Sequence, residues 1–242
     1  MRSIRSVATT SPRALRVLGA LAVSLAALMG PQASGLATAA EDSSCSDVEV
    51  VFARGTFEAP GVGATGQAFV DALNARLGGK TVDAYGVNYP ASLDFQAASN
   101  GIADAANRIE AIAASCANTQ IVLGGYSQGA AVAGYTTTDT LPAGIALPDG
   151  VNGTLPPTVA SHVAAVVLFG TPSDGFLNLV DRDAPPIAIG HLFASKTLEL
   201  CNPGDPICSP GGLDRSAHSA YKSNGAADQA ADYAVHALTT RL

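Results

Sequence analysis

The 242-residue sequence predicts an α/β fold, a three-layer sandwich around a central, mostly parallel sheet of about five strands. Three observations carry that reading. Short, β-branched apolar runs alternate with segments of helical period along the chain. The run 162–169 is apolar at nearly every position, as a parallel strand covered on both faces must be. Ile121-Val122-Leu123 passes through Gly-Gly-Tyr-Ser-Gln-Gly straight into a small-residue segment beginning at Ala130, which reads as strand, sharp turn and helix.

Taken in order, Val48 to Ala53 is the first strand and ends in Arg54-Gly55-Thr56. Thr65 to Leu77 follows as a helix with Ala68, Phe69, Ala72, Leu73 and Leu77 on one face. Val82 to Val87 is the second strand. Ser99 to Ala117 is the next helix, with Ile102, Ala105, Ala106, Ile109, Ile112 and Ala113 inward and Asp104, Arg108 and Glu110 outward. After the strand–turn–helix at Ser127, the Pro- and Gly-rich stretch from Leu141 to Pro157 has no period and reads as a surface loop. It contains a sequon-like Asn152-Gly153-Thr154, a pattern too short to carry weight. Beyond the run 162–169, Ile187 to Phe193 is expected to supply the last strand, with Lys196 to Leu200 as a further candidate. Ala226 to Leu242 is the closing helix.

Composition sets the class. The chain is 48% hydrophobic and 14% charged, which suits a close-packed globule, and its net charge of −7 argues against nucleic acid. Arg2, Arg5, Arg13 and Arg16 precede an apolar stretch, Val17 to Met29, and a small-residue region, Ala37 to Ala40. That is the layout of a secretory signal peptide over 1–40, with an apolar core too short to span a membrane. Its removal leaves nine basic against 20 acidic residues, a balance of −11 on an exported, acidic domain over 41–242. In an exported chain the four cysteines, Cys45, Cys116, Cys201 and Cys208, imply two disulfides with three possible connectivities. Cys201 and Cys208 bracket a short Pro/Gly loop and point to a local pair, which leaves Cys45 for Cys116. No cysteine or histidine spacing suggests a metal site.

The chemistry centres on Ser127. Gly125 and Gly129 flank it where a side chain would meet the crossing chain, so the turn lifts its hydroxyl above the sheet. In folds of the α/β-hydrolase type an acid and then a histidine follow the serine in sequence. His162 opens a buried strand, His191 lies within an apolar run and His236 sits on the terminal helix. His218 alone stands in a loop before the closing helix, free to reach over a sheet edge. Asp205, in the Cys201–Cys208 loop, is the preferred acid because fixing an imidazole needs rigidity; Asp214, in a Gly-rich stretch, ranks second. The Gln128 amide, first in its helix, and the Thr56 amide or hydroxyl after the first strand are the expected oxyanion donors. A rival reading comes from Gly61-Val-Gly63-Ala-Thr-Gly66, which matches the dinucleotide fingerprint in spacing. It stands too far from the preceding strand to present phosphate to the helix start.

Four segments together resemble the cutinases, in particular the actinobacterial cutinase-like esterases. They are Phe52-Ala-Arg-Gly-Thr56, Gly124-Gly-Tyr-Ser-Gln-Gly-Ala-Ala131, Cys201-Asn-Pro-Gly-Asp-Pro-Ile-Cys208 and His218-Ser-Ala-Tyr221. The resemblance implies Ser127, Asp205 and His218 as the catalytic residues, Thr56 and Gln128 as oxyanion donors, and disulfides 45–116 and 201–208. It also implies a small five-stranded hydrolase without a large lid, acting on carboxylic esters through an acyl-enzyme, as a monomer and without cofactor. A lipid-directed lipase or phospholipase and a non-catalytic wall-associated protein are the alternatives. Phe57, where similar sequences often carry a small residue, and the long 141–157 loop are the departures. They are expected to reshape the rim of the acyl site.

Overall fold

A computed structural model describes residues 45–148 and 153–240. The leader expected at 1–40 and Asn152 of the sequon lie outside the described residues. In order, the elements are β1 (Val48–Ala53), α1 (Gly63–Arg76), β2 (Val82–Gly86), α2 (Ser99–Ser115), β3 (Gln120–Tyr126), α3 (Gln128–Thr136), α4 (Pro157–Ala160), β4 (Val163–Phe169), α5 (Asp174–Val180), β5 (Thr197–Leu200), α6 (Arg215–Ser219) and α7 (Ala226–Thr239). The five strands form one wholly parallel sheet in the order β2-β1-β3-β4-β5.

Side-chain alternation sorts the core into two layers. Val48, Val50 and Phe52 of β1 face the α1/α7 layer, where Phe69, Leu73, Ala230, Ala234 and Leu238 bury them. Val51 and Ala53 face the α2/α3 layer with Ile102, Ile109, Ala130 and Val132. On that second face Glu49 is buried and ion-paired to Arg108 of α2 at 2.6 Å. In β4 the pairing with β3 skips a residue: Ile121 faces Val163 and Val122 faces Ala165, so Ala164 is extra and the alternation resets.

Two expectations need correction. Ile187 to Phe193 is not a strand; β5 is Thr197–Leu200 alone. The apolar segment lies across α3 instead, with Ile187 against Gly134 and both Ile187 and Ile189 packed on the α2/α3 core. Its apolarity reports that burial rather than pairing. Of the 141–157 stretch, the described residues 141–148 and 153–156 lie outside helix and strand but are not merely surface, since Leu155 is buried and Ile145 and Leu147 pack on the same core, and Pro157 already begins α4.

Disulfides join Cys45 to Cys116 and Cys201 to Cys208. The first ties the chain just before β1 to the residue that ends α2. Strands β1 and β3 are neighbours, while their connections run to opposite sides of the sheet. Their carboxyl ends therefore open a crevice, the position where parallel α/β sheets place their sites.

Candidate active site

Ser127 sits at that crevice between β3 and α3. Its φ of 57° and ψ of −119° lie where a non-glycine residue is strained by about 1–3 kcal/mol. The turn is tight enough to exclude side chains on both flanks. A Cβ on Gly125 would stand 2.1 Å from the Gly129 carbonyl oxygen, and one on Gly129 would stand 2.0 Å from that of Ala53. The backbone amide of Ser127 donates to Phe169 at the end of β4, anchoring the turn to the sheet.

His218 lies on the short helix α6 rather than in an open loop. Its Nε2 is 2.9 Å from Ser127 Oγ and its Nδ1 is 2.9 Å from Asp205 Oδ2. Hydroxyl, imidazole and carboxylate thus form one continuous chain. Asp205 is wholly buried, and its carboxylate is held from three sides. Ile207 N donates to Oδ1 at 2.8 Å, Tyr221 Oη donates to Oδ2 at 2.7 Å, and His218 takes the remaining position. Asp214 caps α6 instead, accepting from the amide and hydroxyl of Ser216, and those bonds hold its carboxyl below the usual range. Of the other histidines, His191 is not in a strand; it is exposed and pairs with Asp139 at 2.7 Å.

Thr56 follows β1, and Gln128 opens α3, so the two candidate donors flank Ser127 from either side of the crevice. As the first residue of its helix, Gln128 has no intrahelical acceptor for its amide. The Thr56 loop is held by Arg54, which is buried. Its guanidinium donates to the carbonyls of Glu58, Val87 and Tyr89 and lies over the Tyr89 ring, while Tyr89 Oη donates to the Arg54 carbonyl. Phe57 stands 75% exposed at the mouth with φ 66°, fixed by its amide to the Ala91 carbonyl. Glu58 spans the loop and the start of α1, its carboxylate accepting from Gly55 N and Ala64 N at 2.7 Å each. That carboxylate fills the helix end which the Gly61–Gly66 spacing would have offered to a dinucleotide.

With the geometry in place, the comparison with known families decides the lineage: the family model described as Cutinase matches residues 44–238.

The chain belongs to the cutinase family.

It is 46% identical to Carboxylesterase Culp1 of Mycobacterium tuberculosis over 230 residues, covering 94% of this chain and 98% of that protein. It is also 48% identical over 189 residues to Phospholipase Culp4 of the same organism, covering 78% of this chain and 77% of that protein. Among solved structures, Trichoderma reesei cutinase in complex with a phosphonate inhibitor aligns with a TM-score of 0.60 at 37% identity, covering 80% of this chain and 77% of that one. An acetylxylan esterase shares the α/β-hydrolase fold with a TM-score of 0.62 at 24% identity, covering 81% of this chain and all of that one.

Two residues of the candidate site have no role assigned by the sequence, Tyr126 and Tyr221. Tyr126 stacks on the His218 ring with centroids 5.0 Å apart, and its hydroxyl donates to the His218 carbonyl. Burial pushes its phenol up to about 12. Tyr221 is fully buried; burial and the Asp205 carboxylate both raise its phenol, so it remains a donor to that carboxylate. The signal was Tyr126 inside the Gly-Tyr-Ser-Gln-Gly segment and Tyr221 three residues after His218, but where each hydroxyl goes depends on the fold.

Proposed function

We propose that this carboxylic ester hydrolase works through a Ser127–His218–Asp205 triad and a covalent acyl-enzyme, and that it acts as an exported monomer. The observation that carries the mechanism is the position of His218, 2.9 Å from both Ser127 Oγ and Asp205 Oδ2. In the first half-reaction His218 Nε2 takes the Ser127 proton as Oγ bonds to the ester carbonyl carbon. The amides of Thr56 and Gln128 receive the negative oxygen. The imidazolium then gives that proton to the departing alkoxide, the carbon–oxygen bond breaks and the alcohol leaves. Water repeats the sequence on the acyl-enzyme and releases the acid. Asp205 fixes the imidazole tautomer, and its own two donors, Ile207 N and Tyr221 Oη, keep it in place.

Carboxylic esters are favoured as substrates by the naming of the carboxylesterase relatives, and lipid esters by that of the phospholipase relative. Export is supported by the leader pattern at 1–40 together with the two disulfides. The decisive experiment is Ser127→Ala, assayed on p-nitrophenyl butyrate and by labelling with an alkyl phosphonate. Loss of about four to six orders of magnitude in kcat, with loss of the label and an unchanged fold, is expected. Activity within tenfold of the unaltered enzyme would assign the nucleophile elsewhere.

A further inference from the structure

The imidazole of His218 has an aromatic ring laid against it. Tyr126, the last residue of β3 and the neighbour of Ser127, stacks on it with centroids 5.0 Å apart and planes 28° apart. That tyrosine is held in place. Its hydroxyl donates to the His218 carbonyl at 2.9 Å, and its ring occupies the space in front of Gly55, where a Cβ would stand 2.7 Å from Tyr126 Cδ1. Gly55 precedes Thr56, so one side chain touches both the histidine and the oxyanion loop and adjoins the nucleophile in sequence. Burial, with the charges of Glu58 and Asp205 added to it, keeps the phenol neutral at the pH of catalysis.

We propose that Tyr126 is a positioning residue that acts through His218: its ring face stabilises the imidazolium formed when the imidazole takes the Ser127 proton. The inference rests on the triad reading above and adds a role within it. A cation within about 6 Å of a ring centroid is drawn to the negative face of the ring, an attraction that a neutral imidazole lacks. His218 is neutral before the proton moves and charged after it. The extra attraction therefore exists in the transition state and not in the resting enzyme, which is the condition for it to speed the reaction. Around the imidazole stand Ser127 Oγ at Nε2, Asp205 at Nδ1 and Tyr221 with its plane at 89° to the ring, while Asp214 is engaged as the cap of α6 and Glu58 acts on Tyr126. Asp205 brings its charge to the ring edge, and Tyr126 covers a face.

This role gives the pH profile a shape that a purely structural role lacks. Where the resting imidazole is neutral, loss of the stack costs the transition state the whole attraction. Where it is already protonated, resting enzyme and transition state lose the same attraction, and kcat/KM does not change. Weakening the ring face therefore lowers the alkaline plateau, moves the midpoint of the profile down by the same factor, and leaves the acid limb where it was. An attraction of this class corresponds to about threefold to thirtyfold in rate, or about half to one and a half pH units.

The test is the pH dependence of kcat/KM on p-nitrophenyl butyrate, expressed per active site titrated with phosphonate. Tyr126→Phe keeps the ring without the hydroxyl and is the reference. Phenylalanines bearing one, two and three ring fluorines at position 126 weaken the negative face at nearly constant shape. Along that series the plateau should fall stepwise to a loss of about threefold or more, the midpoint should fall by about half a unit, and the acid limbs should superimpose. Tyr126→Leu, which removes the ring, should lose about threefold to thirtyfold at the plateau. A readout without turnover is proton NMR of His218 Cε1–H in the Ser127→Ala background, whose titration should move to lower pH along the same series. Plateau and acid limb falling together, or a titration that stays fixed across the fluorine series, overturns the assignment. An unaltered enzyme that hydrolyses no ester fails the triad reading instead, and the NMR titration then judges the stack by itself.

Discussion

Replacing both Cys201 and Cys208 by serine separates two roles that a disulfide can have. In the chain-entropy picture the 201–208 bridge closes a separation of 7 residues and stabilises by about 2.4 kcal/mol, whereas the 45–116 bridge closes 71 and contributes about 4.4 kcal/mol. For a domain of this size 1 kcal/mol moves the melting temperature by about 2–4 °C. The expected falls are therefore about 5–10 °C and about 9–18 °C. Activity should order the other way. Cys208 Sγ lies 3.4 Å from Tyr221 Oη, which donates to Asp205, which orients His218. Asp205 keeps its Ile207 anchor, so loosening the loop misplaces the carboxylate without freeing it. Misplacement of about 1 Å costs on the order of a hundredfold, and a kcat loss of about ten- to a hundredfold is expected. The assay is p-nitrophenol release at 25 °C, normalised to active sites titrated with phosphonate, beside thermal melts of both double variants. Full kcat per titrated site in the 201/208 variant, or a larger melting shift there than in the 45/116 variant, would refute the reasoning.

Asp205→Asn should lower kcat by about three to four orders of magnitude by disturbing the imidazole tautomer. Asp214→Ala, which removes only the α6 cap, should cost a few degrees of melting temperature and leave kcat within about threefold; the reverse ranking would move the acid to Asp214. Ester hydrolysis should rise with pH and level off in mildly alkaline solution, because protonated His218 cannot accept from Ser127; a flat rate from pH 5 to 9 with a chemically limited substrate counts against a histidine base. Tyr89, Tyr126, Tyr135 and Tyr221 all have phenols raised by burial, so the folded state favours their neutral forms. Their stabilisation is complete below the ordinary tyrosine value near 10 and is lost as pH rises through 12, so urea midpoints should hold to about pH 10 and then drop. Midpoints that are constant to pH 12 would contradict the burial of these hydroxyls.

What was legible in the sequence is what is local. The turn at Ser127 announces itself because close backbone approach on both sides requires Gly125 and Gly129 within a few residues of one another. Strand β1 follows from its apolar, β-branched run, and most of the buried faces of α1 and α2 follow from period. Ile187–Phe193 misleads because apolarity reports burial of either kind, and here Ile187, Ile189 and Leu192 are half-buried against a helix rather than paired in the sheet. The link from Tyr221 through Asp205 and the Arg54 clamp on the Thr56 loop each join residues separated in the chain. No spacing rule encodes them.

Glu58 has a bearing on which lipids this enzyme can tell apart. Its carboxylate occupies the amide-rich start of α1, close to the loop that carries Thr56. A phosphodiester headgroup arriving at the crevice therefore finds a like charge where a bare helix start would have welcomed it. Between two esters of the same acid, one with an anionic and one with a neutral alcohol half, that carboxylate sets the crevice against the anionic one.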